Sequence, residues 1–239
     1  LAGAPPFTWE QSAHDALRHV HSLVNTGRTE VIDADLSGYF DSIPHAELVK
    51  SVSRRISDGA VLHLIKMWLV TPVEERDKRG RVHRTTRNKD EGRGTPQGSP
   101  ISPLLANLYM RRFVTGWKVL GHERNLQARI VNYADDFVIC CRGTADQAMT
   151  AMRTIMSRIK LTVNETKTHT CRVPAETFNF LGYTFGRYYS PRTGGAYLGT
   201  QPNRAKVQRF CGSLSELTRR DTLWLEIDDR STLPWHAAS

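Results

Sequence analysis

Residues 131–138 read VNYADDFV, two adjacent aspartates inside a run that otherwise suits burial. Carboxylates repel one another and lose free energy when they leave water. Apolar segments on both sides, Ala128 to Tyr133 and Phe137 to Cys141, read as two strands joined by a tight Ala134-Asp135-Asp136 connection. Aspartates are common turn residues, so the pair takes on a chemical meaning only if another acidic group meets it.

EVIDADL, residues 30–36, supplies that group. Its alternation sets Ile32, Ala34 and Leu36 on one face and Asp33 and Asp35 on the other, a strand that buries one side against helices. Between this strand and the hairpin lie helices after Pro44 (Leu48, Val49, Val52, Ile56) and over Val61–Leu69. A glycine-proline loop follows, running into a helix with Leu104, Leu105, Leu108 and Phe113 inward. Before the strand, Thr8 and Gln11 have capping-box spacing, and Gly27 closes the first helix. After the hairpin, Thr144 and Gln147 cap a helix running to about Lys160. Strands around 161–163 and 168–173, FNFLGYTF, and a basic helix from Pro202 complete the chain.

Strand, helices, hairpin, helix and strand in that order make an α+β fold of the split βαβ, ferredoxin-like kind. In that topology the first strand and the first hairpin strand run parallel, so Asp35 and the Asp135–Asp136 turn end at one edge of the sheet. Three carboxylates gathered there require cations. Oxygen donors suit Mg²⁺, and two such ions about 3.5–4 Å apart serve an in-line phosphoryl displacement.

Composition points the same way. Among 239 residues, 33 lysines and arginines face 24 acids, a formal charge of +9 that favours a polyanionic partner. Residues 73–94 concentrate eight of those cations in a turn-rich segment suited to tracking phosphates. The four cysteines, Cys140, Cys141, Cys171 and Cys211, include no C-x-x-C pair, which argues against a zinc site or a disulfide framework and makes a reducing cytoplasm the default. The longest apolar stretch, Val61 to Val70, is broken by His63 and Lys66 and is too short to span a bilayer, so no membrane partner is expected. The N-terminus has no signal-peptide pattern.

The chain resembles reverse transcriptases, most closely those encoded by bacterial group II introns. VIDADLSGYFDSIPH looks like their motif A, GTPQGSPISPLLANLYM like motif B and NYADDFVI like the YxDD motif. LTVNETKTH and FNFLGYTF look like the two motifs that follow, all in family order. The resemblance implies residues 1–30 as a remnant of fingers and 31–200 as palm, with a fingers insertion at about 73–94. Residues 201–239 would begin a helical thumb. It implies RNA-directed DNA polymerisation with two Mg²⁺ ions (Mn²⁺ as a substitute), dNTPs, an RNA template such as intron RNA and a DNA or RNA primer, linked to intron mobility or splicing.

Residue by residue, the resemblance assigns Asp35, Asp135 and Asp136 as catalytic metal ligands, with the Leu36 carbonyl on the second ion. Tyr39 would lie under the sugar and exclude a 2′-hydroxyl, leaving Phe40 as the core aromatic. Gln97 and Gly98 would line the nucleotide pocket, with Gly94 and Gly98 allowing close backbone approach, and Lys167 would neutralise or protonate pyrophosphate. Arg84, Arg87 and Arg93, the Phe180-Leu181-Gly182 primer grip, and Arg204, Lys206 and Arg209 would hold nucleic acid. The segment before the first helix lacks the family's arginine-proline stretch, and the thumb pattern fades after one helix, so a fragment truncated at both ends is expected. Two alternatives accompany this reading: a maturase remnant that binds RNA without catalysis, and the reverse transcriptase of a retron or defence system.

Overall fold

The computed structural model describes residues 12–76, 82–96 and 98–218. The chain divides into two units, residues 1–200 and 201–239, described separately below.

The first unit is organised by β1 (Glu30–Ala34), whose neighbours are set by apolar side chains on both of its faces. α1 (Ala13–Asn25) precedes it, capped by a reciprocal pair in which Ser12 accepts from the Asp15 N–H and Asp15 accepts from the Ser12 N–H. Thr8 and Gln11, the cap expected from spacing, lie outside the described residues. At the other end Gly27 takes φ +93°, and the Arg28 N–H bonds back to the Leu23 carbonyl, ending the helix as expected.

After β1 come a short turn α2 (Tyr39–Ser42), α3 (His45–Ser53) and α4 (Gly59–Leu69), the last capped by Asp58. β2 (Val73–Arg76) and β3 (Val82–Thr85) form a separate antiparallel hairpin, followed by α5 (Arg87–Glu91). The long α6 (Ser102–Val119) and short α7 (His122–Asn125) lead into β4 (Arg129–Tyr133) and β5 (Asp136–Cys141). α8 (Ala145–Arg158), β6 (His169–Arg172) and a three-stranded sheet of β7 (Phe178–Phe180), β8 (Tyr183–Tyr189) and β9 (Ala196–Pro202) follow.

The central sheet has the order β4-β5-β1-β6. β5 is antiparallel to both β1 and β4, so β1 and β4 point the same way, as the split βαβ reading requires. Leu161–Val163, expected as a strand, contributes only a bridge between Val163 and Leu36.

Two cores sandwich this sheet. Ile32, Ala34, Phe137 and Ile139 face α6 and α8, where Tyr109, Phe113 and Trp117 are buried. Val31, Val138 and Cys140 face the opposite way, toward α1 residues Leu17, Val20 and Val24 and toward Phe178, Phe180 and Phe185. The expectation that β1 buries one side is therefore corrected: both faces are covered, and Asp33 and Asp35 share the second face with Val31. Two further side chains depart from the periodicity reading. Leu104 is turned outward while Ala106, Tyr109 and Met110 take the core, because the buried stripe of α6 is rotated by about one position. Thr144 makes no cap; its hydroxyl donates instead to the Leu126 carbonyl at 2.5 Å.

Cys140, Cys141 and Cys171 are buried free thiols, and Cys211 is exposed. No described helix is long and apolar enough to cross a membrane. In the second unit, α9 (Arg204–Leu217) is capped by Asn203, whose side-chain oxygen accepts from the Ala205 N–H at 2.9 Å.

Tyr109 ties α6 to the end of α8: its buried hydroxyl donates to the Ile159 carbonyl at 2.6 Å. Replacing Tyr109→Phe leaves that carbonyl unpaired in the core, and urea denaturation is expected to show a loss of about 1–3 kcal/mol with an unchanged m-value.

Candidate active site

The β4–β5 hairpin turns in two residues. Tyr133 pairs with Asp136, leaving Ala134 and Asp135 as the turn, so Asp136 opens β5 rather than sitting in the connection. Ala134 takes φ +53°, the left-handed backbone that primed two-residue hairpins use. For a residue with a Cβ this costs roughly 1–2 kcal/mol, strain held at the tip that carries the acidic pair.

β1 delivers the third carboxylate. Ala34 is opposed by Phe137, and one further step of the same register sets Asp35 against Asp136. Opposed residues in an antiparallel pair have Cα atoms about 4.5–5.5 Å apart. The alternation of β5 turns Asp136 to the side of Val138 and Cys140, which is also the side of Asp33 and Asp35. A cleft of about 250 Å³ opens over this edge, lined by Asp35, Leu36, Tyr39, Asp135, Asn164 and Lys167 among others.

Asp35 is held by its neighbours. Its carboxylate accepts from the Asn164 side-chain amide at 3.1 Å and faces the Lys167 ammonium at 3.4 Å. Its backbone N–H donates to the Thr168 hydroxyl at 3.2 Å, and its carbonyl accepts from the Asn164 N–H at 2.9 Å. The bridge between these segments uses the Asp35 carbonyl and the Ser37 N–H, leaving the Leu36 carbonyl outside it. Asn164 also accepts from the Thr166 N–H and hydroxyl, so one amide orders its own loop and the carboxylate together. Spacing alone did not single out Asn164; the N-x-T pattern after an apolar run, an Asx-turn signal, marks it.

Asp33 lies deeper. Burial pushes its carboxyl up to about 6, with His169 pulling down and the Asp136 and Asp35 carboxylates adding to the rise. Its side chain is 4.0 Å from the His169 ring.

Among the described residues, no three His, Cys, Asp or Glu side chains cage an ion by themselves. The donors present suit a cation that brings water and takes substrate phosphate oxygens, as Mg²⁺ does with one or two carboxylates. Asp35 and Asp135 on one cleft wall, with Asp136 beside them, match that requirement.

Tyr39 is more buried than expected. At 4% exposure it is the core aromatic, with Phe40 half-buried edge-on against it, which reverses the assignment of Phe40 as core. The Tyr39 hydroxyl donates to the Ala106 carbonyl of α6 at 2.5 Å while the residue still lines the cleft.

Motif B approaches through its backbone. Gly94 takes φ +92°; its N–H bonds to the Ile43 carbonyl, and a Cβ there would meet the Asp41 carbonyl at 3.2 Å. Gly98 takes φ +81° in open space, and Gln97 lies outside the described residues.

The remaining assignments scatter. Arg84 pairs with Glu74 at 2.7 Å and Arg87 with Glu91 at 2.8 Å, so part of their charge is already answered; Arg93 is exposed beside the Pro44 bridge. The Phe180 ring packs in the second core at 4% exposure. The β7–β8 turn that follows it places Leu181 at φ +49° and Gly182 at φ +80°. Arg204, Lys206 and Arg209 are exposed on α9, in the other unit.

The profile of the family described as reverse transcriptase (RNA-dependent DNA polymerase) matches residues 4–185. Protein YkfC of Escherichia coli is 30% identical over 88% of this chain, and the chain spans 62% of that protein. The group II intron-encoded protein LtrA of Lactococcus lactis is 32% identical over 44% of the chain and 16% of its own length. The fold is shared with telomerase from Candida albicans, at a TM-score of 0.52 and 15% identity over 80% of this chain and 33% of the telomerase chain. The sheet order, the acidic edge and these likenesses agree: the chain belongs to the reverse transcriptase family, where its relatives include group II intron-encoded proteins.

Proposed function

We propose that this chain copies RNA into DNA by adding deoxynucleotides to a primer 3′-hydroxyl at the Asp35–Asp135–Asp136 edge. The carrying observation is the cleft in which Asp35, Asp135, Tyr39 and Lys167 meet. A pair of divalent ions, Mg²⁺ by donor chemistry, would be held by the three carboxylates and the Leu36 carbonyl. When bound, such ions acidify the primer hydroxyl and offset charge on the leaving pyrophosphate.

The chain's own side chains do the rest. Asn164 fixes the direction of the Asp35 carboxylate. The Lys167 ammonium, 3.4 Å from Asp35, would protonate or neutralise the leaving pyrophosphate, a reading its cleft position supports. The Tyr39 ring, pinned through its hydroxyl to Ala106, is a rigid wall against a ribose 2′-hydroxyl, so discrimination rests on a clash. The intron-linked role in mobility or splicing follows from the likeness to group II intron-encoded proteins and is part of the same proposal.

Primer extension on poly(rA)/oligo(dT) tests this. Mg²⁺-dependent extension is expected from the wild type and none from Asp135→Ala; RNA binding with no extension at any Mg²⁺ or Mn²⁺ concentration would instead favour an RNA-binding remnant.

Two graded variants follow. Lys167→Ala is expected to lower kcat about a hundredfold, the scale of a lost proton donor. Asn164→Ala is expected to lower it about ten- to a hundredfold, through misplacement of Asp35, with the affinity for dNTP little changed.

Sugar selection separates ring from hydroxyl. Tyr39→Phe is expected to keep discrimination against ribonucleotides while losing some stability, and Tyr39→Val to admit them, read as the ratio of kcat/KM for dTTP and UTP.

A further inference from the structure

A second cleft opens at the opposite end of the central sheet. Arg28 lies ahead of β1 and Arg129 begins β4, whereas Asp35 and Asp135 follow those strands. The five residues of β4 therefore separate the two ends by about 13 Å of strand. The cleft has a volume of about 650 Å³, and its walls carry Arg28, Lys118, Arg124 and Arg129 against one carboxylate, Glu123.

The corner is braced from inside. Buried Trp117 donates its indole N–H to the Ala128 carbonyl at 3.0 Å, and its ring packs 5.1 Å from that of His122. Gly121 takes φ +75° to turn α6 into α7. Arg28 reaches across to the Gln127 carbonyl, Nε donating at 3.2 Å. Arg129 pairs with Glu123 at 3.2 Å, which answers the single acid. Among the described residues, Lys118 and Arg124 have no ion-pair partner. The half-buried His19 of α1 feels the resulting field. Burial lowers its pKa most, and Arg129, Lys118 and Arg28 lower it further, opposed by Glu123.

The lining selects the ligand class. Three guanidinium groups and one ammonium match phosphate oxygens. None of the described lining residues is aromatic, so unpaired bases find no ring to stack on. Asn125 and Gln127 add amides that can both donate and accept, as a ribose 2′-hydroxyl does. We propose that this cleft docks the backbone of base-paired RNA, apart from the carboxylate edge. The docking does not require the chain to polymerise, so the two readings stand or fall separately.

The test is fluorescence anisotropy of the whole chain with an RNA hairpin of about 16 base pairs, the span a double-stranded-RNA module covers. EDTA is present and KCl is varied, so the carboxylate edge is bypassed. In the double variant Lys118→Glu/Arg124→Glu, affinity is expected to fall about tenfold or more, and the log–log salt slope to flatten by about one unit per lost phosphate contact. Extension on a short template is expected to be unchanged. Thermal melting checks the fold, and a hairpin carrying a photo-crosslinker is expected to label residues 118–129 of the wild type, which decides the matter even if the variant fails to fold. Unchanged affinity and slope in a folded variant, or crosslinks confined elsewhere, would overturn the proposal. Equal binding of a DNA duplex with the same loss in the variant would overturn its assignment to RNA.

Discussion

The pairing of β1 with β5 governs the rest of the molecule. Ile32 and Ala34 must enter the core beneath α6 and α8, and Phe137 and Ile139 must join them there. A slip of β1 by one residue would turn Ile32 and Ala34 away from the face that Phe137 and Ile139 keep, and would aim Asp33 and Asp35 at the apolar side of α6 and α8. Register is therefore fixed by hydrophobic contacts some distance from the cleft. The acidic edge inherits its geometry from that constraint.

Like charges gathered at a sheet edge would open it if nothing answered them. Asn164 and Lys167 answer Asp35 directly, and His169 stands by Asp33. These partners all come from the segment after α8, so the acidic cluster is assembled from motifs on one side and stabilised from another. The arrangement leaves Asp135 and Asp136, at the hairpin end, more exposed than Asp35 and Asp33. The tip can tolerate a strained Ala134 because β5, directly after it, is buried on both faces from Phe137 to Cys141.

Much of this was legible in the residues. The parallel direction of β1 and β4, the end of α1 at Gly27 and the meeting of Asp35 with the hairpin follow from alternation, capping and topology, all of them local or nearly so. What escaped depends on distant chain. Coverage of the Val31 face by α1 and by β7–β8, and hence the burial of Phe180, is decided by segments more than a hundred residues apart. Tyr39 outranks Phe40 in the core because a carbonyl of α6 lies in reach of its hydroxyl, a fact no spacing reveals. Thr144 gives up its cap for Leu126 for the same kind of reason.

The distribution of thiols has a practical corollary. Burial pushes the Cys141 thiol up to about 12 and that of Cys171 to about 11, and Cys140 higher still, so little reactive thiolate forms near neutral pH. Cys211, on α9, is the exposed one. An alkylating dye or spin label would thus settle on the C-terminal unit and spare the sheet, giving a built-in handle for following that helix by spectroscopy without altering the central sheet.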